Sequence, residues 1–292
     1  MVAPSTLHLL ESEYPTANGY AEVGQSMDNL AGEAVAGAWV LQRLGVPCSI
    51  DGRWLADSAL SQTLLNRLQE AGIDTSLLHV EPNYHPIEEL VIADGKTRTV
   101  FGGYRKILFN EKQWNTPSAN AIAKSSFCML DPFLHAESES CARLCVEHGI
   151  PYVTCDATPS GFVAQHATAN IISEEFLLRE NIHNLEEFFA QCTALCPGWV
   201  VLTFGSAPLW YAEPGTCIRS PLQWQPFSIH LVDSTGAGDS FRAGFLYALW
   251  KGMRGIDVIR TAGAVAALNC ERFPGVLLSP KQEELDEFLH RF

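Results

Sequence analysis

A short glycine-containing turn in the C-terminal part of the chain constrains its fold most strongly. Residues 231–245 read Leu-Val-Asp-Ser-Thr-Gly-Ala-Gly-Asp-Ser-Phe-Arg-Ala-Gly-Phe. The β-prone run Ser228–Val232 leads into the turn, and apolar residues recur at helical spacing from Asp239 to Trp250. The turn is therefore predicted to join a strand to a helix, whose first amide groups have no intrahelical partner. Because the helix dipole is positive there and glycines allow close approach, the turn predicts an anion-binding cradle, most often for phosphate.

A carboxylate beside this cradle indicates a catalytic role. Asp239 directly follows residues 236–238, where a negative side chain would repel a bound phosphate. An enzyme that transfers phosphoryl groups gains from such a group, because a base must take the proton of the attacking hydroxyl. The alternative is that Asp239 only caps its helix, since Asp is a favourable N-cap residue. The spacing alone leaves both interpretations open.

The segment Asp233-Ser-Thr-Gly-Ala-Gly-Asp239, followed by Ala243-Gly244-Phe245, resembles the C-terminal signature of the ribokinase-like (PfkB) carbohydrate kinases. The resemblance implies that Asp239 is the catalytic base. It implies that the anion hole for the transferred phosphoryl group is formed by the amides of Gly236, Ala237 and Gly238. Asp233 is then expected near a monovalent-cation site, such as one for K⁺.

A second region resembles the ketohexokinase-like branch of the same family. Residues 31–74 read as a helix of small residues, a Leu-Gly pair, a short strand at Val46–Ile50 and a helix that ends in Ala-Gly-Ile-Asp. The resemblance implies that Gly32 and Glu33 lie beside the sugar.

Four departures from the family pattern affect the sugar side. The family's Gly-Gly pair is Ala31-Gly32, and Glu33 stands where Asn or Lys is common. Ala36 stands where an Asn that binds sugar is common. The segment Met1–Leu10 is interrupted by Pro4 and Ser5, so the family's first strand, with its sugar-binding Asp, is expected to be absent or degraded. The identity of the sugar is therefore left open.

The resemblance also implies binding of ATP and Mg²⁺. Thr203-Phe204-Gly205 resembles a Thr-Leu-Gly motif that runs along the nucleotide. At residues 173–176 the chain reads Ser-Glu-Glu-Phe, where the family carries an Asn-x-x-Glu motif that supports Mg²⁺, so this motif is not intact. The implied nucleotide contacts are Ser173, Thr203, Gly205, Thr235 and Asn269. The implied metal ligands are Glu174, Glu175 and Asp233.

Strands and helices alternate after residue 126, which predicts βαβ units and a parallel sheet. The predicted strands are Phe127–Leu130, Tyr152–Cys155, Ile171–Ile172 and Trp199–Phe204. Ligands bind beyond the carboxyl ends of such strands, so Asp131 and Asp156 are candidate substrate ligands by position, or else caps or loop residues. The resemblance implies a three-layer α/β/α fold with a mostly parallel central sheet, as one domain of residues 1–292.

The segments Ile87–Ile92 and Thr97–Phe101 flank Asp94-Gly95 and predict a β-hairpin, because Asp-Gly favours a type I′ turn. The resemblance implies that residues 86–103 form a lid over the sugar and often the interface of a homodimer. The alternative is an ordinary surface hairpin, whose apolar residues would need a surface to pack on.

The composition excludes several classes of partner. The chain has 292 residues and a net charge of −14, from 33 acidic residues against 19 Lys and Arg, which argues against nucleic acid and anionic membranes. No apolar run approaches the ~20 residues of a membrane span, and no signal-peptide pattern begins the chain. Its nine cysteines include no C-x-x-C pair and are expected to be reduced in a cytoplasmic protein.

The function that these features imply is ATP-dependent phosphorylation of a sugar hydroxyl. One alternative is a nucleoside or phosphosugar kinase of the same fold. A phosphosugar would need a basic residue nearby, for which the candidates are Arg53, Arg98, Arg105 and Lys106. The other alternative is a sugar- or nucleotide-binding protein without turnover.

Overall fold

The computed structural model describes residues 5–10, 14–28, 30, 32–84, 89–94, 98–103, 112–216 and 220–292. The chain divides into two compact units. Unit 1 consists of Met1–Asn115, Ser228–Tyr247 and Thr261–Phe292, and unit 2 of Thr116–Phe227 and Ala248–Arg260. None of the helices within the described ranges is long and apolar enough to cross a membrane.

Unit 1 contains a small four-stranded sheet and a pair of two-residue strands. Its strands are β1 (Ser5–Leu9), β2 (Val23–Asp28), β3 (Leu55–Ala56), β4 (Val80–Glu81), β5 (Glu89–Ala93) and β6 (Arg98–Gly102). The four-stranded sheet has the order β2-β1-β5-β6, and β3 pairs with β4. The first two helices, α1 (Glu33–Arg43) and α2 (Ala59–Glu70), pack through a buried apolar cluster that includes Val35, Leu64 and Leu68.

The first strand, expected to be absent or degraded, is present. Ser5–Leu9 forms β1, which pairs antiparallel with β2 and parallel with β5. This strand belongs to the four-stranded sheet of the hairpin and not to the large sheet of unit 2. Its parallel partner β5 lies far away in sequence, and the short pattern of residues 5–9 alone could not reveal the pairing.

The predicted strand Val46–Ile50 does not form either; within it only Ser49 makes an isolated bridge, to Asp74. The amide of Val46 donates to the carbonyl of Leu41 at the end of α1. Pro47 has no amide hydrogen to offer a neighbouring strand. The segment therefore finishes a helix instead of starting a ladder.

The predicted pairing around Asp94 is confirmed, since β5 and β6 are antiparallel with Leu90 opposite Phe101 and Val91 opposite Val100. Residues 86–88 and 95–97 of the predicted lid lie outside the described residues. The hairpin is therefore two strands of a four-stranded sheet.

Unit 2 is built around a six-stranded sheet of order β12-β11-β10-β9-β8-β7. Its strands are β7 (Cys128–Leu130), β8 (Tyr152–Cys155), β9 (Ala169–Ser173), β10 (Trp199–Phe204), β11 (Ala207–Ala212) and β12 (Leu222–Trp224). Its helices are α3 (Ala119–Lys124), α4 (Ala136–Glu147), α5 (Phe162–Gln165), α6 (Glu174–Arg179) and α7 (Leu185–Leu195).

The strands from β7 to β10 are parallel neighbours, whereas β11 and β12 are antiparallel. The predicted α/β class with a mostly parallel sheet is confirmed. The carboxyl ends of β7, β8, β9 and β10 meet at one edge of this sheet, because the strands are parallel. Three helices complete the chain: α8 (Ala237–Trp250), α9 (Ile256–Cys270) and α10 (Gln282–Arg291).

Candidate active site

The predicted cradle lies at the start of α8. Gly236 has a φ of 73°, and the first helical hydrogen bond runs from the Ser240 amide to the Gly236 carbonyl at 2.8 Å. A Cβ at Gly236 would lie 2.2 Å from Cγ2 of Val276, so this position requires glycine for its backbone angle and for its space. Gly238 has nothing within 4 Å of such a Cβ. The Ala237 amide already donates to the Ser234 carbonyl at 3.1 Å, so a bound phosphate would share or displace that bond.

Asp239 lies inside the first turn of α8, because the helix begins at Ala237. Asp239 is therefore not the N-cap residue, which was the alternative interpretation of this position. Nη2 of Arg242 donates to Oδ1 of Asp239 at 3.1 Å, and the side chains of Arg242 and Asp239 are 3% and 24% exposed. A buried cation beside a carboxylate favours the ionised carboxylate, which is the form that accepts a proton. Arg242 was missed from the sequence, although its i,i+3 spacing to Asp239 was visible.

Asp233 lies just before the turn and is 2% exposed. Its Oδ1 accepts from the Thr235 amide at 2.8 Å. Its Oδ2 and the hydroxyl of Thr235 are buried and have no hydrogen-bond partner within the described part of the chain. Burial raises the pKa of Cys270 to about 12, and the negative charge of Asp233 contributes to this rise. Because a buried carboxylate oxygen is seldom left unpaired, this oxygen fits the chemistry of a cation ligand.

The segment before the turn is not the strand predicted at Ser228–Val232. The amides of Val232 and Asp233 both donate to the carbonyl of Cys270, at 2.8 and 3.1 Å, so the chain is tied to the end of α9. His8 of β1 lies on the same segment, with Nε2 3.2 Å from the Val232 carbonyl.

Asn269, one of the implied nucleotide contacts, is 0% exposed. Its Nδ2 donates to the Thr235 carbonyl at 3.1 Å, and its Oδ1 accepts from the hydroxyl of Ser240 at 3.0 Å. Both ends of the amide are engaged inside the protein. This geometry disfavours a contact between Asn269 and the nucleotide, because the side chain is fully buried and both its nitrogen and its oxygen already have partners.

The predicted sugar ligands are distributed over both units. In unit 1, Gly32 precedes α1 and Glu33 lies in its first turn, partly exposed. Arg105 lies outside the described residues. In unit 2, Oδ1 of Asp131 accepts from the Phe133 amide at 3.2 Å and caps a short 3₁₀ helix. For Asp131 the structure therefore shows the capping role that was the alternative to sugar binding.

The predicted nucleotide and metal residues are divided between the two units. Thr235, Asn269 and Asp233 belong to unit 1, whereas Ser173, Glu174, Glu175, Thr203 and Gly205 lie in unit 2 at the carboxyl ends of β9 and β10. Asp156 follows β8 and accepts from the amide of Ser173 at 2.7 Å and from its hydroxyl at 2.9 Å. Oγ1 of Thr203 donates to the Ile172 carbonyl at 3.4 Å, and Gly205 follows β10 in an exposed turn. The position of Asp156 was anticipated, but its bonds to Ser173 were not.

Glu174 and Glu175 are exposed in the first turn of α6, whose N-cap is Ser173. Phe176, where the family carries Glu, is buried and packs against Phe188 with ring centroids 6.2 Å apart. No cluster of three metal-ligating side chains occurs in the part of the chain that is described. Exposed carboxylates nevertheless fit Mg²⁺, which is commonly held by one or two carboxylates together with substrate phosphates and water.

The chain is similar to known proteins over most of its length. The model of the pfkB family of carbohydrate kinases matches residues 13–281. Ribokinase of Bacillus subtilis is 26% identical over 273 residues, which cover 89% of this chain and 86% of that protein.

Two solved structures show the same fold at low identity. Ribokinase of Arabidopsis thaliana, complexed with ribose and ATP, has a TM-score of 0.76 at 16% identity and covers 99% of this chain and 97% of its own. The nucleoside kinase of Burkholderia thailandensis, in complex with inosine, has a TM-score of 0.74 at 16% identity and covers 100% and 96%. The narrower ketohexokinase-like placement is not tested by these matches and stays a prediction. Because the family model spans most of its length, this chain belongs to the pfkB family of carbohydrate kinases.

Proposed function

We propose that the protein transfers the γ-phosphoryl group of ATP to a sugar hydroxyl, and that residues 1–292 form one kinase domain. The observation that carries the proposal is the position of Asp239, which follows the Gly236 turn directly and is held by the buried Arg242. A turn that only bound phosphate would gain nothing from this carboxylate, because the two negative charges repel.

In the proposed reaction, a carboxylate oxygen of Asp239 takes the proton of the attacking hydroxyl. In this proposal the amides of residues 236–238 donate to the charge that develops on the transferred group, and the loss of one such donor costs roughly 2.7–4 kcal/mol. When bound, Mg²⁺ supplies neutralisation of phosphate charge. Glu174 and Glu175 are the proposed carboxylates for it, and Ser173, Thr203, Gly205 and Thr235 the proposed contacts for the nucleotide. Gly32 and Glu33 are proposed for the sugar.

An ATP turnover assay against a panel of sugars, nucleosides and phosphosugars tests the proposal. We expect turnover with at least one sugar, and a kcat lowered by about 10²–10⁴-fold or more for Asp239→Asn. The fold is shared with nucleoside kinases, which favours nucleosides as the second candidate substrates. Binding of ATP and a sugar without turnover would instead identify a non-catalytic binding protein.

Phosphosugars have less support among the described residues. Arg53 donates to the hydroxyl of Tyr84 at 2.6 Å and to Oε1 of Gln113 at 3.4 Å, so it already has partners. Arg98 is exposed at the start of β6, while Arg105 and Lys106 lie outside the described residues. The structure therefore offers Arg98 as the candidate to test.

We expect turnover to depend on a monovalent cation such as K⁺, because Oδ2 of Asp233 is buried without a partner among the described residues. Rates in KCl should exceed rates in choline chloride at equal ionic strength. Asp233→Asn should abolish this difference, since the amide removes the negative charge that holds the cation. Equal rates of the wild-type protein in both salts would contradict the prediction.

The lid is proposed to be the interface of a homodimer. Leu90, Val100 and Phe101 expose apolar surface on β5 and β6, which favours packing on a second subunit or on the sugar. We expect a dimer mass by light scattering and a monomer for Phe101→Glu, with Thr99→Ser as the control. A monomeric wild-type protein whose hairpin amides exchange equally with and without sugar would argue against both roles.

The proposed location is the cytoplasm. The structure describes eight cysteines, and all of them are free thiols. Free cysteines, of which four are buried and four are partly buried, fit a reducing compartment. The strongly negative net charge of −14 supports the absence of a nucleic-acid partner.

A further inference from the structure

The side chain of Asn269 bridges the two ends of the Gly236 turn, residues 236–239. Its two hydrogen bonds end on Thr235 and Ser240, which are the residues immediately before and after the segment 236–239. We infer that Asn269 is a positioning residue, which fixes the anion-hole amides and Asp239 relative to each other. This inference rests on the proposed function, because it concerns the same turn.

The two hydrogen bonds of Asn269, called the clamp below, are of different kinds and therefore require an amide side chain. The amide nitrogen of Asn269 donates to a backbone carbonyl, and its oxygen accepts from a serine hydroxyl, so one planar group sets two distances at once. Asn269 and Ser240 are both 0% exposed. Because a buried amide is costly when it lacks its partners, the turn cannot move away from α9 without losing both bonds.

A nearby segment of the same chain, residues 275–276, holds Asn269 in place. A Cβ at Gly275 would lie 2.6 Å from Nδ2 of Asn269, so the backbone there packs directly on the amide. The next residue, Val276, packs on Gly236 of the turn. The carbonyl of Cys270 accepts the amides of Val232 and Asp233 at the entry to the turn. The end of α9 and residues 275–276 therefore pack directly against the turn that forms the cradle.

This packing is expected to act mainly on the transition state, by orienting the amides of the turn. Hydrogen-bond donors stabilise developing charge only when they are oriented in advance, and a misplacement of about 1 Å can cost roughly 10²-fold in rate. A group that contacted adenine would act mainly on binding of ATP. A positioning residue behind the turn acts on kcat and leaves the KM for ATP largely unchanged.

The test uses Ser240→Ala and Asn269→Ala, with Ser61→Ala as the matched control. Ser61 is also a buried helical serine, and it accepts one side-chain hydrogen bond, from Ser58 at 3.1 Å, far along the chain from the turn. We expect Asn269→Ala to lower kcat by about 10²-fold. Ser240→Ala should lower kcat by roughly tenfold or less, since one hydrogen bond is lost. Ser61→Ala should keep the wild-type kcat.

Two further readouts do not depend on turnover. Amide hydrogen exchange at residues 234–239 should become faster in Asn269→Ala and Ser240→Ala, and not in Ser61→Ala. ADP alone should bind the variants as it binds the wild-type protein. ADP with aluminium fluoride, which mimics the transferred phosphoryl group, should lose its tighter binding in Asn269→Ala.

The outcomes separate this inference from the proposed function. If the wild-type protein phosphorylates no acceptor, the proposed function fails, while hydrogen exchange still decides the role of Asn269. If Asn269→Ala raises the KM for ATP with an unchanged kcat, the side chain contacts nucleotide and the inference is overturned. Exchange at the turn that is the same in all three variants would overturn it as well. Ser240→Ala keeps the test decisive should Asn269→Ala fail to fold.

Discussion

Replacing Asp239 by Asn is expected to lower kcat by about 10²–10⁴-fold or more, because general-base catalysis typically contributes that much. The amide of Asn does not take up a proton in water, so the attacking hydroxyl would lose its acceptor. Affinity for ATP should stay similar or rise slightly, because a negative charge beside the phosphates is removed. Steady-state kinetics with ATP and the best sugar measure both effects.

The stability of this variant should fall, in contrast to what a simple helix cap would predict. Asp239 pairs with Arg242, whose side chain is 3% exposed, so the substitution leaves a buried guanidinium facing a neutral amide. Hydrogen bonds to charged groups contribute about 1.5–3 kcal/mol, and the oxygen of Asn retains part of that bond. We therefore expect a loss of stability of roughly 1–2 kcal/mol, measured by denaturant unfolding.

Asp257→Asn is the matched control, because Asp257 lies in the first turn of the next helix and is exposed. The same substitution there should leave kcat unchanged. Near-normal turnover of Asp239→Asn at full folding would remove Asp239 from the mechanism. The protein would then be better described as a binder of sugar and nucleotide.

The elements that could be predicted from sequence are those whose local pattern agrees with their burial. The strands Tyr152–Cys155 and Trp199–Phe204 form with the predicted bounds. Each is a periodic or continuous apolar run that ends in polar or turn residues. β11 was missed because its exposed start contains Pro208, a residue that argues against a strand.

The candidate site was only partly accessible to sequence reasoning, for a physical reason. The Gly236 turn and Asp239 stand in one short segment, so their chemistry is visible locally. The pairing of Asp156 with Ser173 and the clamp by Asn269 join residues that are distant in sequence. Burial and partner choice are tertiary properties, so the sequence could not show that the side chain of Asn269 is buried against the turn.

Gly236→Ala should be the most damaging small substitution in the turn. Its φ of 73° lies in the left-handed region, which costs an L-residue roughly 1–2 kcal/mol. The new Cβ would also lie 2.2 Å from Cγ2 of Val276, so either the turn or the valine must move. Movement of the turn takes the amides out of line with the transferred phosphoryl group. We expect kcat to fall by about 10²–10³-fold, as for the loss of one donor of an oxyanion hole.

Two companion variants separate the clash from the backbone angle. Gly238→Ala introduces the same methyl group where nothing lies within 4 Å, so it should leave stability close to wild type. Adding Val276→Ala to Gly236→Ala removes the clashing methyl and keeps the strained angle. Since the two residues touch, their effects should not add, and the double variant should recover part of the turnover lost by Gly236→Ala. If Gly236→Ala retained wild-type kcat with a normal fold, the charge of the transferred group could not be stabilised at this turn. The proposed role of Asp239 as the base for phosphoryl transfer at this turn would then lose its support.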